Sequence, residues 1–447
     1  MTTPRRPRWL ILAHAFNMDG RAASHTITDK IPYLLAEGIE LVVLSGVTGE
    51  HDTRFEHHQL WSSGPSGLRF ELRHVLRQRL QSRLAYRLVM LLASLLLMPA
   101  MFVERLFKPV ESSWSWCFSA HRRAKALAAQ RPFDLIYSTG GAFAAHLAGQ
   151  SLQRALGVPW MAEIHDPMVL PGTTPRTRRQ KAYADVEARI CRHADLAIWF
   201  TDAAMASGLR RHPELTDRGR VMLPGVDRPF SGPLPPYTPS ATFVLGHFGS
   251  LSPTRTFLPF IEAIALLREQ APEVYASLEV HIYGGQLDEP SAQRAQALGV
   301  ADRIRRFGRL ETDPVTGVSG RDQVLARMRQ CDVLALVHGD DPMCEEYIPS
   351  KLYEYLWMQR PIVATVHDNP QMADLIRAEG HLVATSSLRN GGHSTQTADE
   401  LSRLLHQLSQ RWRSEGLADS GRDSPYTTQA STQQLIAWAK SLTPQRP

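Results

Sequence analysis

A lysine and a glutamate three positions apart, Lys351 and Glu354, open a segment that predicts a short helix followed by an apolar strand. At this spacing both side chains share one helical face, about 4.5 Å apart along the axis. Pro349 and Ser350 suit the first turn, where unpaired amide groups attract anions. The lysine could therefore neutralise a nucleotide diphosphate while the glutamate accepts hydrogen bonds from the adjoining ribose. An exposed ion pair of little energetic value would have the same spacing.

A third acid, Glu346, stands eight positions before Glu354 and ends an acidic cluster that also contains Asp340, Asp341 and Glu345. Four carboxylates so close in sequence invite a metal-binding interpretation. They also suit a solvated loop, and magnesium sites built from oxygen ligands usually depend on substrate phosphates nearby. We therefore expect no protein-bound metal in this cluster.

Polar residues in the first half of the chain follow an apolar run in AEIHDPM, residues 162–168. His165 and Asp166 end this predicted strand, and parallel sheets bind ligands at the carboxyl ends of their strands. Because histidine titrates in the useful range, either residue could orient or deprotonate an acceptor hydroxyl. A structural Asp166 that caps the following turn is an equal alternative. His146, on an apolar helix, is expected to be a hydrogen-bonded core residue.

Apolar runs alternate with amphipathic stretches from residue 9 to about residue 388, which predicts strand–helix units and an α/β fold with parallel sheets. Six runs predict one sheet: WLILAHAF, IELVVLSG, FDLIYSTGG, VPWMAEIHDP, ADLAIWFT and GRVMLPGVD. Six later runs predict a second sheet: TFVLGHFGSLS, SLEVHIYGG, RIRRFGRL, CDVLALVHGD, RPIVATV and HLVATS. We expect two doubly wound, Rossmann-like domains that face each other across a cleft lined by their ligand-binding loops.

Residues 231–240, SGPLPPYTPS, are dense in proline and turn-forming residues and predict a linker. The expected N-terminal domain then covers residues 1–230, and the C-terminal domain covers residues 241–390. Residues 391–447 are interpreted as a polar tail that ends in a helix, QQLIAWAKSL.

A basic segment followed by an apolar one occupies residues 68–108. Residues 68–87 contain six arginines and one glutamate, whereas residues 88–103, LVMLLASLLLMPAMFV, carry no charge. This run is shorter than the about 20 residues of a membrane-spanning helix. It could lie in a bilayer surface with its arginines near anionic head groups, or form a helix buried inside the first domain. Because no known nucleic-acid-recognition motif follows the arginines, nucleic acid is not an expected partner.

Four cysteines are too few and too scattered for a disulfide framework, so they suit a reducing cytoplasm. The start, MTTPRRPRWLILAHAFN, resembles a secretion signal in its basic residues. Its apolar core covers only residues 9–12 before His14, which is short of the about 7 to 15 residues that a signal peptide needs. We therefore predict that this segment forms the first buried strand.

The spacing of Glu346 and Glu354 resembles the E-x7-E signature of the family-four glycosyltransferases with the GT-B fold. PSKLYEY, residues 349–355, is similar to the P-S-K-L-x-E-Y motif of one subgroup. FGSLSPTR, residues 248–255, resembles the family's G-R-L loop after the first strand of the donor domain. RPFDLIYSTGGAFAAHLAG, VPWMAEIHDP and LPGVDRPF fall where its acceptor-domain strands and its N-G-V-D turn belong. The resemblance extends from residue 10 to about residue 387.

The resemblance implies a role for each matching residue. Glu354 would bond the ribose of the nucleotide, and Glu346 would meet hydroxyls of the transferred sugar. Asp166 matches the R-D-P-W stretch of the subgroup, whereas His165 stands where that stretch has arginine and is a candidate by its own chemistry; both complete the candidate catalytic set with Glu346. The implied donor-binding residues are Gly249, Ser250, Arg255, Gly284, Arg309, Pro349, Ser350, Lys351, Leu352 and Glu354. Gly20 and Arg21 belong to a loop that approaches donor phosphate or acceptor in the family.

Two further departures from the family pattern affect the donor site and the N-G-V-D turn. Ser250 stands where the family has an arginine, so one positive charge on the diphosphate is missing and Arg255 must supply more of the neutralisation. Pro224 replaces the usual asparagine of the N-G-V-D turn.

Together these features predict a metal-independent glycosyltransferase that needs no cofactor, and the family resemblance implies that it is retaining. It would move a sugar from a nucleotide-diphosphate donor to a glycan or lipid-linked acceptor of cell-surface polysaccharide or glycolipid biosynthesis. The expected location is the cytoplasm, peripheral on the inner membrane face through residues 68–108. A nucleotide-sugar epimerase of the same fold and a non-catalytic nucleotide-sugar-binding partner protein are the alternatives.

Overall fold

Two parallel sheets, each flanked by helices, confirm the α/β prediction. This computed structural model describes residues 5–18, 22–108, 110–141, 143–387 and 395–442. The chain divides into two units, residues 1–225 with 428–447, and residues 226–427. Residues 231–240, predicted as a linker, contain no helix or strand.

The sheet of the first unit has seven parallel strands in the order β3-β2-β1-β4-β5-β6-β7. The strands are β1 (Arg8–Leu12), β2 (Glu40–Gly46), β3 (Glu56–Leu60), β4 (Leu135–Gly140), β5 (Trp160–Ile164), β6 (Leu196–Trp199) and β7 (Gly219–Val221). Side chains alternate along β1, so Leu10 and Trp9 lie in cores on opposite faces of the sheet. The sequence predicts six of these strands, and β3 is the additional polar strand at the sheet edge.

Helices cover this sheet on both faces. They are α1 (Ala22–Thr28), α2 (Ile31–Ala36), α3 (Pro65–Arg79), α4 (Arg83–Phe107), α5 (Trp116–Gln130), α6 (Phe143–Leu156), α7 (Arg178–His193) and α8 (Asp202–Arg211), followed by a 3₁₀ turn at Pro213–Leu215. Strand order changes direction between β1 and β4, so ligands are expected beyond the carboxyl ends of these two strands.

The sheet of the second unit has six parallel strands in the order β10-β9-β8-β11-β12-β13. They are β8 (Phe243–Phe248), β9 (Leu278–Tyr283), β10 (Ile304–Gly308), β11 (Val333–Val337), β12 (Ile362–His367) and β13 (Leu382–Ser386). Five of them lie within the runs that the sequence predicts as strands, and β12 extends one residue beyond its run, to His367. Order changes direction between β8 and β11, which marks the carboxyl ends of these strands as the expected ligand site.

The helices of the second unit are α9 (Leu258–Gln270), α10 (Pro272–Ser277), α11 (Glu289–Ala297), α12 (Gly320–Gln330), α13 (Lys351–Trp357), α14 (Pro370–Ala378) and α15 (Thr395–Ser414), with 3₁₀ turns at Ala301–Arg303 and Pro342–Glu346. Helix α15 packs on α9 and buries Leu401, Leu405 and Leu408 in the core. Much of the segment interpreted as a polar tail is therefore a packed helix.

A final helix, α16 (Thr428–Leu442), contains the predicted QQLIAWAKSL segment. It packs against α2 of the first unit, where Leu435, Ile436 and Ala439 join the core that contains Trp9 and Ile31. The first unit is therefore built from both ends of the chain.

Helices α3 and α4 form a hairpin whose outer surface is apolar. Glu71 of α3 is buried and accepts hydrogen bonds from the amide and hydroxyl of Ser62, both at 2.7 Å. Glu104 of α4 accepts from the amide of Ser66 at 2.8 Å and from the indole of Trp114 at 2.7 Å. Glu71, which is buried, and Glu104, which is half-buried, fix the hairpin to the first unit at its base.

The rest of α4 is exposed, which contradicts the alternative of a helix buried inside the domain. Met90 is its one buried residue. Twelve of its large apolar side chains are exposed: Leu84, Leu88, Val89, Leu91, Leu92, Leu95, Leu96, Met98, Phe102, Val103, Leu106 and Phe107. In the described part of the chain, α4 is the one helix long and apolar enough to cross a membrane.

Candidate active site

Two glycines bring the loops after β8 and β9 into backbone contact. Gly249 has φ +144° and Gly284 has φ +93°, conformations that favour glycine. A Cβ on Gly284 would lie 3.1 Å from the amide nitrogen of Gly249. The Gly249 amide donates to the carbonyl of Tyr283 at 2.9 Å, and the Gly284 amide donates to the carbonyl of Gly308 at 2.7 Å. At the carboxyl edge of the sheet, Gly249 and Gly284 therefore form a backbone surface without side chains, the glycine wall, which a ligand can approach closely.

Lys351 lies beside this glycine wall, next to His247. A Cβ on Gly249 would be 3.8 Å from Cε of Lys351 and 3.9 Å from Nε2 of His247. Burial, together with the charges of Lys351 and Arg255, lowers the pKa of His247 from 6.5 to about 4. The positive charges of both side chains therefore act on this histidine.

The loop that carries Arg255 is attached to the loop after β11. The amide of Asp340 donates to the carbonyl of Thr254 at 2.8 Å. A Cβ on Gly339 would lie 2.9 Å from that carbonyl oxygen and 4.0 Å from Cβ of Arg255. Arg255 is thus held at the point between β8 and β11 where the strand order changes direction.

Glu354 is paired with two cations. Nζ of Lys351 lies 3.1 Å from one carboxylate oxygen of Glu354, and Nη1 of Arg321 lies 3.4 Å from the other. The ion pair that the spacing allows is therefore formed, beside the glycine wall. Helix α13 begins at Lys351, and Ser350 takes the capping position without a hydrogen bond from its side chain to the helix.

Glu346 is buried at the end of the 3₁₀ turn between β11 and α13. The side-chain amide of Asn369 fixes this turn by donating to the carbonyls of Cys344 and Tyr347, both at 3.0 Å. Asp341 accepts a hydrogen bond from the amide of Met343, so it caps the start of the same turn. Within the described residues, no group of three or more His, Cys, Asp or Glu side chains is arranged to hold a metal ion.

The remaining donor-site candidates divide into surface and core residues. Ser250 adjoins the second glycine of the IYGG stretch, since a Cβ on Gly285 would lie 3.5 Å from its Cα. Arg309 is exposed directly after Gly308 at the end of β10. Pro349 and Leu352 are buried, so they support α13 from within the unit.

In the first unit, His165 belongs to a buried network that the sequence analysis missed. Nε2 of His165 lies 2.9 Å from a carboxylate oxygen of Glu163 and 2.9 Å from the hydroxyl of Thr139. Nζ of Lys30 donates to the other oxygen of Glu163 at 2.6 Å, with both side chains fully buried. The hydroxyl of Tyr137 donates to that oxygen at 2.7 Å. Glu163, a charged residue inside an otherwise apolar predicted strand, was the sequence signal for this network.

Charge within this network determines the orientation of His165. Burial raises the pKa of Glu163, but the charges and hydrogen bonds of Lys30 and His165 outweigh burial and hold it well below its ordinary value. An ionised carboxylate only accepts hydrogen bonds, so Nε2 of His165 carries a proton in this contact. The imidazole ring also stacks on Phe200 at a centroid distance of 4.8 Å.

Asp166 follows His165 and is exposed at the carboxyl edge of the sheet. A Cβ on Gly141, after β4, would lie 2.9 Å from its carboxylate. His146 is a core residue as expected, with its ring nitrogens 2.9 Å from the Ser138 hydroxyl and 3.2 Å from the Gly140 carbonyl. Gly20 and Arg21 lie outside the described residues.

Residues 242–407 match the family model described as glycosyl transferases group 1. This segment contains all the donor-site candidates of the second unit. No curated protein sequence matches the chain.

Solved structures extend the likeness to both units. Anabaena HepE in complex with UDP has a TM-score of 0.58 and 14% identity, with 98% of this chain and 100% of that chain covered. Sucrose-phosphate synthase from Thermosynechococcus elongatus has a TM-score of 0.56 and 16% identity, covering 98% and 99%. WaaG, a glycosyltransferase involved in lipopolysaccharide biosynthesis, has a TM-score of 0.53 and 15% identity, covering 98% and 100%. The fold is therefore that of the GT-B glycosyltransferases, and residues 242–407 of the second unit are similar to the group 1 glycosyltransferase model.

Proposed function

We propose that this protein transfers a sugar from a nucleotide-diphosphate donor to a glycan or lipid-linked acceptor, with retention of configuration and without a metal ion. The observation that carries the proposal is the glycine wall of Gly249 and Gly284 with Lys351 beside it, at the edge of the sheet where Arg255 adjoins Gly339. It lies within the segment that matches the glycosyltransferase family model. The family-four assignment of the E-x7-E motif belongs to the same proposal.

The chemistry follows from where negative charge develops. Breaking a glycosyl–phosphate bond leaves charge on the departing diphosphate, and fixed cations stabilise that charge more than they stabilise the bound donor. Lys351 and Arg255 supply two such cations. Glu354 would accept hydrogen bonds from the ribose, exchanging its ion pair with Lys351 for one between Lys351 and phosphate. Glu346 would bind hydroxyls of the transferred sugar.

In the first unit, His165 and Asp166 would serve the acceptor. Glu163 holds the imidazole so that Nδ1 can accept a proton from a hydroxyl, and Asp166 offers an exposed carboxylate beside Gly141. Proton removal of this kind raises the nucleophilicity of the acceptor oxygen.

Calorimetry with UDP tests the donor site, because HepE was solved with UDP and with UDP-glucose. Removing a hydrogen bond to a charged group costs about 1.5–3 kcal/mol, so Lys351→Ala should weaken UDP binding by roughly 10- to 100-fold. Glu354→Ala should also weaken it. The matched control is Arg377→Ala, which removes another pair with i,i+3 spacing in the same unit, Asp374–Arg377 at 3.2 Å. Unchanged affinity in both site variants would exclude this donor site for UDP, and the other nucleotide diphosphates would be tested in the same way.

Product analysis tests the reaction itself. Incubation with UDP-glucose and a glycolipid extract should yield a product that keeps the anomeric configuration of the donor, in the presence of EDTA. Exchange of a sugar-ring hydrogen with solvent without transfer would instead identify an epimerase. Binding without either reaction would identify a non-catalytic partner protein.

We further propose that the protein is cytoplasmic and peripheral on the membrane face, where glycolipid and cell-surface polysaccharide precursors are built. The exposed apolar surface of α4 supports this location. Arg69 of α3 donates to the hydroxyl of Ser94 on α4 at 2.8 Å, so the arginine-rich helix lies along the apolar one. If α4 spanned the bilayer, Arg73 and Arg77 of α3 would enter hydrocarbon at about 2.5–3.5 kcal/mol each. The hairpin therefore favours lying in the interface.

A further inference from the structure

A large groove on the first unit is lined by residues other than those of the candidate active site. It has a volume of about 1,090 Å³ and runs between the start of α5, one face of α6 and one face of α7. Its apolar lining includes Trp114, Phe118, Phe143, Leu147 and Val186. Along α6 it extends from Phe143 to Ala155, about 18 Å at the rise of a helix. These dimensions suit an extended aliphatic chain.

The groove has a cationic rim. Five Lys and Arg side chains and one Asp line it, and that aspartate, Asp185, is paired with Arg189 at 2.7 Å. Arg178 and Lys181 both stand in the first turn of α7, which contains no acidic residue. Cations at a helix N-terminus oppose the helix dipole and destabilise the helix. An anionic ligand at this end of the groove would relieve the repulsion.

The cationic end of the groove is also the end nearest to Asp166. The ring of Phe143, at the start of α6, lies 5.2 Å from the ring of Tyr183 on α7. Arg189 and Gln150 pair further along both helices, so α6 and α7 run parallel from the carboxyl edge of the sheet. Arg178 and Lys181 precede Tyr183 and therefore lie at that edge, where Gly141 adjoins Asp166.

The groove is continuous with the apolar surface of α4. Phe107 is the last residue of α4, is 73% exposed, and lines the groove. Lys108 follows it in the lining, and Phe118 on the opposite wall is 55% exposed. An amphiphile in a bilayer that holds α4 could therefore enter the groove without crossing water.

We propose that this groove binds a membrane lipid phosphate, with the aliphatic chain along α6 and the phosphate at Arg178 and Lys181. The apolar floor matches the chain, the cationic end matches the phosphate, and α4 connects the groove to the bilayer. If the proposed function holds, this lipid is the anchor of the acceptor, because its head group would lie at the sheet edge that carries Asp166. Lipid binding itself does not depend on that function.

Calorimetry of the full chain with dodecyl phosphate, below its critical micelle concentration, tests the proposal. The charge reversal Arg178→Glu with Lys181→Glu should weaken binding at least tenfold, and added salt should weaken binding to the unmodified chain. Ser151→Trp, at an exposed position in the groove lining, should fill the groove and weaken binding to a similar extent. The controls are Arg122→Glu and Arg122→Trp, at an exposed position on α5 that does not line the groove.

Three results would overturn the proposal. Dodecyl phosphate could fail to bind, or bind the groove variants as tightly as the unmodified chain. Inorganic phosphate alone, or dodecanol alone, could bind as tightly as dodecyl phosphate. The unmodified chain could be a dimer that does not bind dodecyl phosphate and that the groove substitutions dissociate. That result would identify a second copy of this chain as the occupant of the groove. UDP binding measured on the same samples separates these results from a failure of the donor-site proposal.

Discussion

Replacing three leucine and phenylalanine side chains on the outer surface of α4 by serine should release the protein from membranes. Leu92, Leu96 and Phe102 are 66%, 81% and 65% exposed. Full burial of such a side chain contributes about 1.5–3 kcal/mol, so burying the exposed part in lipid contributes about 1–2 kcal/mol for each. The triple variant should therefore lose about 4 kcal/mol of membrane binding, roughly a thousandfold in the partition coefficient.

Flotation with liposomes that contain anionic lipid measures this partition coefficient. Substitutions at exposed positions change folding stability by about 0.5 kcal/mol or less, so the triple variant should unfold at nearly the same temperature as the unmodified chain. The control variant carries Val315→Ser and Val318→Ser, two exposed apolar residues of the second unit. If the triple variant floats with the liposomes as the unmodified chain does, α4 does not enter the interface and the exposed surface must have another partner.

Three further predictions concern the two sheets. Gly284→Ala should destabilise the second unit by about 1–2 kcal/mol and reduce UDP affinity, whereas Gly380→Ala, also at positive φ but with open space around it, should leave UDP affinity unchanged by calorimetry. Glu163→Gln should lower the free energy of unfolding by about 3–5 kcal/mol, because it leaves a buried ammonium unpaired. In the unmodified chain, the pKa of Glu163 lies below its ordinary 4.5, so the free energy of unfolding should fall as the pH drops below 4.5. In Glu163→Gln, the free energy of unfolding measured by denaturant titration should change less over the same pH range. Burial lowers the pKa of His146 from 6.5 to about 4, so the free energy of unfolding should also fall as the pH drops from 6.5 to 4. This fall should be smaller in His146→Asn, and an equal pH dependence in both proteins would contradict the prediction.

The strands were the most predictable part of the fold, because buried parallel strands are continuous apolar runs bounded by turn residues. Strand β3 was not predicted, because EHHQL is polar and adopts the strand conformation by pairing with β2 at the sheet edge. Helix α15 was not predicted, because its segment is polar overall. A stripe of Leu401, Leu405 and Leu408 at helical spacing was present and could have identified it.

The candidate site was predictable only where it is local in sequence. Lys351 and Glu354 form their pair within one helical turn, so spacing alone predicts it. The position of Arg255 beside Gly339 depends on strand order and cannot be obtained from spacing. Lys30 and Glu163 are separated by more than a hundred residues, and neither carries a motif. Composition likewise could not distinguish a buried from an exposed α4, because both environments accept the same residues.

The return of α16 to the first unit has a consequence for synthesis on the ribosome. Ile31 and Trp9 need Leu435 and Ile436 to complete their core, yet residues 226–427 are made in between. At about 5–20 residues per second, the amino-terminal sheet waits roughly 10–40 s with one apolar face incompletely covered. During that interval the nascent chain exposes an apolar surface that favours aggregation, and truncation before residue 428 would leave this surface exposed permanently.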